Sequence, residues 1–195
     1  LIPGKFGSPY KVNIMKIDNK VVPLIIGINS DGTLNNTSTS ILKRNIALWL
    51  APKRMVNDYI EIRDGKIINL SYDITVLVDD NVTEIDLKTQ VINTTADYHD
   101  TSKLNMGDEI FLGGLIENIN NIKGVLIIIE MNIFNKVGNG YSLNETTMSY
   151  INEKTKQINP VDYSLICEQD SIFEIKVPKN DILVKIKRKN KIYQV

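Results

Sequence analysis

The amino-acid sequence predicts an α+β fold, a ferredoxin-like split βαββαβ domain with one extra helix, followed by a short strand-rich C-terminal docking segment. Three observations lead there. Residues 68–78 place Ile68, Leu70, Tyr72, Ile74, Val76 and Val78 at every second position, the period that marks a strand buried on one face. Three other stretches repeat apolar residues at helical spacing. From Val21 to Phe134 the strand-like and helix-like runs follow the order β-α-β-β-α-α-β, and such a chain buries its apolar faces by laying helices on one side of a sheet.

The elements follow from local pattern. Val21 to Asn29, VVPLIIGIN, reads as a short buried strand interrupted by Pro23 and closed by a turn at Ser30-Asp31-Gly32. Ser40 to Leu50 reads as a helix: Ser40 is the N-cap candidate, Leu42, Ile46, Trp49 and Leu50 share a face, and Pro52 stops it. Tyr59, Ile60 and Ile62 lead into a turn at Asp64-Gly65, and Asp58, Asp64 and Gly65 predict an antiparallel hairpin with the 68–78 strand. The second face of that strand, Asn69, Ser71, Asp73, Thr75 and Asp79, reads as the wetter one.

Asp79, Asp80 and Asn81 are placed to cap a helix over Val82 to His99, with Leu87, Val91, Thr94 and Tyr98 at helical spacing. After a turn at Met106-Gly107-Asp108, a further helix carries Leu112, Leu115, Ile116 and Ile119, and Gly124 sits where a left-handed turn residue belongs. Val125 to Phe134, VLIIIEMNIF, reads as a strand whose core positions are 125, 127, 129, 131 and 133.

The character changes at Asn135. A turn-rich connection, NKVGNGYSLN, leads to a polar stretch and then to three short strand-like runs, Tyr163 to Cys167, Ile172 to Val177 and Ile182 to Ile192. That tail has too little apolar mass for its own core and is expected to dock, on the main domain or on another chain. The predicted division is therefore 1–20 as a linker or the end of a preceding domain, 21–134 as the α+β domain and 135–195 as the docking segment. Leu1 and the Pro/Gly-rich LIPGKFGSPY raise the expectation that the chain is a piece of a longer protein. The dominance of Ile and Asn fits an AT-rich coding genome.

Composition removes several chemistries. In 195 residues there are 23 Lys+Arg, 23 Asp+Glu, one His and one Cys. A formal charge of zero supplies no field for gathering phosphate, one cysteine makes no internal disulfide, and one histidine builds no multi-His metal site. The longest apolar runs fall far short of the ~20 residues of a membrane-spanning helix. Cys167 lies among acidic neighbours that oppose thiolate formation. Asp97-Tyr98-His99-Asp100 gathers two carboxylates and an imidazole, but a helix C-terminus also favours histidine there. Gly138 and Gly140 in VGNGYS lack the third glycine and following helix of a nucleotide loop. The run Lys185, Lys187, Arg188, Lys189 and Lys191, interleaved with Val184, Ile186 and Ile192, fits an edge strand with a charged outer side. The expectation is a non-enzyme without cofactor or metal, binding neither nucleic acid nor membrane. Its candidate protein-protein interface is Gly138, Gly140, Tyr141, Phe173, Ile175, Val177, Ile182, Val184 and Ile186; docking on another chain and folding back on the same chain both remain open.

Several segments carry a family resemblance: LIIGINSDGTL from Leu24, a helix ending in Leu-Ala-Pro-Lys-Arg-Met at Leu50 to Met55, and YIEIRDGKIINLSYDITVLV from Tyr59. These are followed by Ala96-Asp97-Tyr98, the Met106-Gly107-Asp108-Glu109-Ile110 turn, the helix IFLGGLIENINNIKGV, NKVGNGYS and SIFEIKVPKNDI. With these, Leu24 to Ile182 resembles the baseplate J-like family, in particular the carboxy-terminal part of the ring-forming baseplate wedge subunit of T-even-like contractile phages. The resemblance implies a structural virion protein of the tail baseplate, assembled in the host cytoplasm. It implies a homodimer that links wedges into a ring around the tail hub, with other baseplate wedge proteins and a sheath-initiator-like subunit as partners, and no catalytic residues. A baseplate subunit of a phage-derived tailocin or injection machine has the same architecture. A small RNA-binding or regulatory α+β domain is the alternative of a different class.

Overall fold

The computed structural model describes residues 8–17, 20–38, 40–53, 60–146 and 150–188. Its architecture is mixed α+β with several sheets. β1 (Lys11–Ile17) and β2 (Lys20–Ile28) form an antiparallel hairpin, Lys11 opposite Ile26 and Ile17 opposite Lys20. β3 (Leu34–Asn35) returns antiparallel along the end of β2 through the expected Ser30-Asp31-Gly32 turn, where Asp31 Oδ1 accepts from Thr33 N and Oγ1. α1 (Ser40–Leu50) has the predicted bounds and buries only Ile46; the residue before it, where a cap would sit, lies outside the described residues.

β4 (Arg63–Asp64) runs parallel to β2. This corrects the predicted hairpin with the 68–78 strand. Gly65 N donates to Ile25 O, and Ile60 bridges Val21, so this segment belongs to the first sheet; Asp58 and Tyr59 lie outside the described residues.

The second sheet is built on β5 (Lys66–Val78). After it come α2 (Glu84–Tyr98), β6 (Ile110–Phe111), α3 (Leu112–Asn120) and β7 (Val125–Lys136), which pairs antiparallel with β5. β8 (Gln157–Ile158) pairs with β7 at Ile133 and Phe134 only, and β9 (Ser164–Leu165) pairs with β6. On the other side of β5, β10 (Ser171–Glu174) pairs in parallel with residues 66–69. A short helix, α4 (Pro178–Asp181), interrupts, and β11 (Ile182–Arg188) resumes parallel pairing with residues 72–78.

β2 therefore sits in a different sheet from β5 and β7, whereas the split arrangement would have made them share one. The expected boundary at residue 134 falls inside β7, and the tail strands complete the main sheet. Their side chains Phe173, Ile182 and Val184 join Leu70, Tyr72 and Ile74 of β5, Leu87 and Val91 of α2, and Leu115 and Ile119 of α3 in one core. A smaller cluster, Val22, Leu24, Ile26 and Leu34 against Ile67, Met106 and Ile172, fastens the first sheet to the second. At about 25 cal/mol per Å² of apolar area removed from water, burying side chains such as Phe173 and Ile182 contributes ~2 kcal/mol each, which is why these strands close on their own chain.

Two local readings also change. α2 begins at Glu84 after Thr83, so Asp79, Asp80 and Asn81 do not cap it; Asp79 Oδ1 accepts from Asp80 N in a turn, and Arg188 donates to Asp80 O. Its buried stripe is Leu87, Val91 and Thr95, one residue off the expected Thr94, with the Thr95 hydroxyl donating to Val91 O.

Candidate interaction surface

Two of the ionisable groups singled out from the sequence, His99 and Cys167, lie inside the fold, whereas Asp97 is exposed and Asp100 half-buried. His99 caps the C-terminus of α2 and is buried, not a surface group. Its Nδ1 lies 3.0 Å from Thr95 O and its Nε2 lies 2.7 Å from the Tyr72 hydroxyl. A carbonyl only accepts, so Nδ1 carries the proton and Tyr72 donates to Nε2. Burial lowers the imidazole pKa to about 4, so the ring is neutral at pH 7. Cys167 is buried, and desolvation, with Asp170, Glu168 and Asp108 near, pushes its thiol up to about 12, far from a nucleophile's range. Among the described residues no group of three or more His, Cys, Asp or Glu is placed to hold a metal ion. No described helix is long and apolar enough to cross a membrane.

The face of β5 read as wetter is covered over most of its length: Asn69, Ser71 and Thr75 are buried, Asp73 is half-buried and Asp79 is exposed. Buried Glu174 of β10 explains part of this, because Oε2 accepts from Asn69 Nδ2 at 2.7 Å while Oε1 accepts from the Leu34 amide at 2.6 Å. One carboxylate thus ties β3 of the first sheet to β5 of the second. The loop after β7 adds its own cover, with Ser142 N donating to Asn69 Oδ1.

Of the nine predicted interface residues, Phe173, Ile182 and Val184 are core residues of this chain, and Ile175 and Ile186 are half-buried against that core. The correction has a plain cause: β5 lacks a neighbour on that side until β10 and β11 supply one. The Gly138–Tyr141 loop is likewise held by its own chain. Asp181, fully buried, accepts from the Tyr141 hydroxyl at 2.6 Å, from Lys136 Nζ at 2.7 Å and from Val177 N at 2.7 Å. Gly138, Asn139 and Gly140 all have positive φ, 73°, 51° and 90°, which accounts for the glycines as turn residues. Val177 alone of the nine has an exposed apolar side chain.

An apolar recess lies elsewhere, at the opposite edge of the main sheet. Ladder irregularities fall between Thr75 and Val76 and between Leu77 and Val78, so Val76 faces Ile128 and Val78 faces Val125, leaving Ile129 and Leu126 as extra residues on β7. A one-residue slip moves a side chain to the other face. The expected core positions 127 and 129 therefore point away, and Ile127 and Ile129 are 53% and 46% exposed, as is Leu126 at 50%. Among the described residues no strand pairs with Leu126 to Met131 on the side away from β5. Alongside runs a groove of about 510 Å³, lined by Leu112 and Ile116 of α3 and by Pro160 and Tyr163. Its single charged residue is Glu130. The run of five apolar residues at 125–129 was the available signal in the sequence; the bulges that turn it outward were not.

No protein-family model matches the chain, and no curated protein matches it.

Proposed function

We propose that this chain is a structural assembly module, a baseplate wedge subunit of a contractile tail that pairs with its own kind and joins neighbouring wedge proteins into the ring around the tail hub. The observation that carries the assembly reading is the open, apolar edge of β7 beside the α3 groove: a sheet edge with unpaired backbone groups and aliphatic side chains is a template for another chain. Its counterpart is that His99, Cys167, Glu174 and Asp181 are each spent on internal hydrogen bonds or buried away from solvent. The baseplate assignment rests on the segments from LIIGINSDGTL to SIFEIKVPKNDI, which resemble the baseplate J-like family. A tailocin or injection-machine subunit is the same reading in a different gene neighbourhood.

The ferredoxin-like aspect of the fold reduces, on these strand pairings, to the β5-α2-α3-β7 unit: two antiparallel neighbours with both helices packed on their common core. The test is compositional. Contractile tails purified from the source are expected to contain this chain's peptides in fixed ratio to the other baseplate proteins. Tails that lack them overturn the baseplate reading.

A further inference from the structure

The turn after β7 holds a side chain that the fold leaves idle. Asn139 is the one asparagine of the sequence followed by glycine. It stands at the exposed tip of a type I′ turn, with φ of 51° at Asn139 and 90° at Gly140, and with Tyr141 N donating to Gly138 O at 3.0 Å. Among the described residues neither the Asn139 side chain nor the Gly140 amide makes a hydrogen bond. A Cβ at Gly140 would meet nothing within 4 Å, so no neighbour crowds that nitrogen. Asn29, followed by the small Ser30 where the chain also turns, is the contrast: its Nδ2 donates to Thr33 Oγ1 at 2.9 Å and its Oδ1 accepts from Asn35 Nδ2 at 3.1 Å.

An unpartnered amide carbon beside an unhindered backbone nitrogen is a reactive pair, because Gly140 N and Asn139 C, Cα, Cβ and Cγ can close a five-membered ring. We propose that Asn139 is a self-modification site, at which water converts the asparagine of the folded protein to aspartate and isoaspartate through a succinimide closed by the Gly140 nitrogen. Hydroxide takes the Gly140 N–H proton and the nitrogen adds to Asn139 Cγ. The Cγ–Nδ2 bond then breaks, and Nδ2 leaves as ammonia with a proton drawn from water. A second water opens the ring. Breaking the new N–Cγ bond leaves aspartate, whereas breaking the original N–C bond leaves isoaspartate, with the main chain running through Cβ and Cγ. No oxidant or reductant takes part.

The bonds around the turn set the pace. Ring closure needs Gly140 N to swing toward Cγ, which opens the Tyr141 N to Gly138 O bond and moves Gly140 O, the acceptor of Lys176 Nζ at 2.5 Å. Lys176 is therefore the brake. The products matter beyond the turn. Each adds a negative charge to a chain of zero formal charge, and isoaspartate lengthens the main chain just before Tyr141 and Ser142, which are bonded to Asp181 and Asn69.

The test incubates the folded 195-residue chain beside a synthetic peptide of residues 135–143, from neutral to mildly alkaline pH. Conversion is read by peptide mapping, as the mass gained when the amide NH2 becomes a hydroxyl, and by enzymatic methylation specific for isoaspartate. Asn139 is expected to convert about tenfold more slowly in the protein than in the peptide, as an exposed turn of low local stability allows. The rate is expected to rise with pH, and Asn139 to convert ahead of Asn29. Lys176→Ala, shown by unfolding curves to be folded, is expected to convert severalfold faster than the wild type. Asn139→Gln, whose ring would have six members, is expected to stop the change at this position. An Asn139 that remains an amide in the protein after the peptide has fully converted overturns the proposal, as does conversion of Asn29 ahead of it. A Lys176→Ala rate equal to the wild type's overturns the role given to Lys176. The composition of tail particles is read independently of all these results, so the assembly reading is tested apart.

Discussion

At the scale of single residues, the buried polar groups set how the protein responds to pH. His99 titrates at about 4 in the fold against an ordinary 6.5, so between these values the unfolded chain binds more protons. Its contribution is complete above about pH 6.5 and is lost as pH falls toward 4, roughly 3 kcal/mol in all. Glu174 acts in the opposite sense. Burial holds its carboxyl above the usual carboxylate range, so the folded state binds more protons there and gains stability as pH falls through the interval just above 4.5. Urea melts from pH 7.5 to 4 are therefore expected to show falling stability in the wild type, a flatter profile for His99→Gln and a steeper one for Glu174→Gln. Asp181→Ala tests the other buried carboxylate. It removes the acceptor shared by the Tyr141 hydroxyl, Lys136 Nζ and Val177 N, and a loss of about 3 kcal/mol in chemical unfolding is expected.

At the scale of elements, the helices were the legible part. α1 has the bounds that Leu42, Ile46 and Trp49 predict, and α3 begins at Leu112 as its apolar face requires. Pairing was less legible, because a strand's partner is chosen by tertiary contacts that local pattern does not carry. β4 shows this, lying against β2 when its turn residues pointed to β5. Gly65 marks the place: a side chain there would run into Met106 Cε and stand 2.8 Å from Ile26 Cγ1. Gly65→Ala is accordingly expected to lower stability by about 1–3 kcal/mol in thermal unfolding, through overpacking between the two sheets. β7 was misread for a different reason. Its apolar run offers no periodicity to fix a face, and the bulges at Leu126 and Ile129 decide which side chains point out. The interface candidates lie in a tail whose short strands show no core of their own in the sequence, and the missing information is that β5 needs β10 and β11 as neighbours along its otherwise open edge.

At the scale of the whole molecule, the tail is structural to the main sheet. A chain ending before Ser171 loses Phe173, Ile182 and Val184 from the core and both parallel neighbours of β5. It is expected to show no cooperative unfolding transition by circular dichroism, whereas a separable docking segment would leave a folded remainder. The same broken strand governs how the protein is made. β5 pairs with β11 from Tyr72 to Ile182, some 110 residues apart along the chain. At synthesis rates of about 5–20 residues per second, the most buried strand waits several seconds or more after translation for its neighbour. During that wait one side of β5 and the aliphatic run of β7 are both unprotected, so nascent chains crowded on one message are exposed to mispairing with each other. Translation speed and chaperone supply, more than intrinsic stability, then set the yield of folded protein.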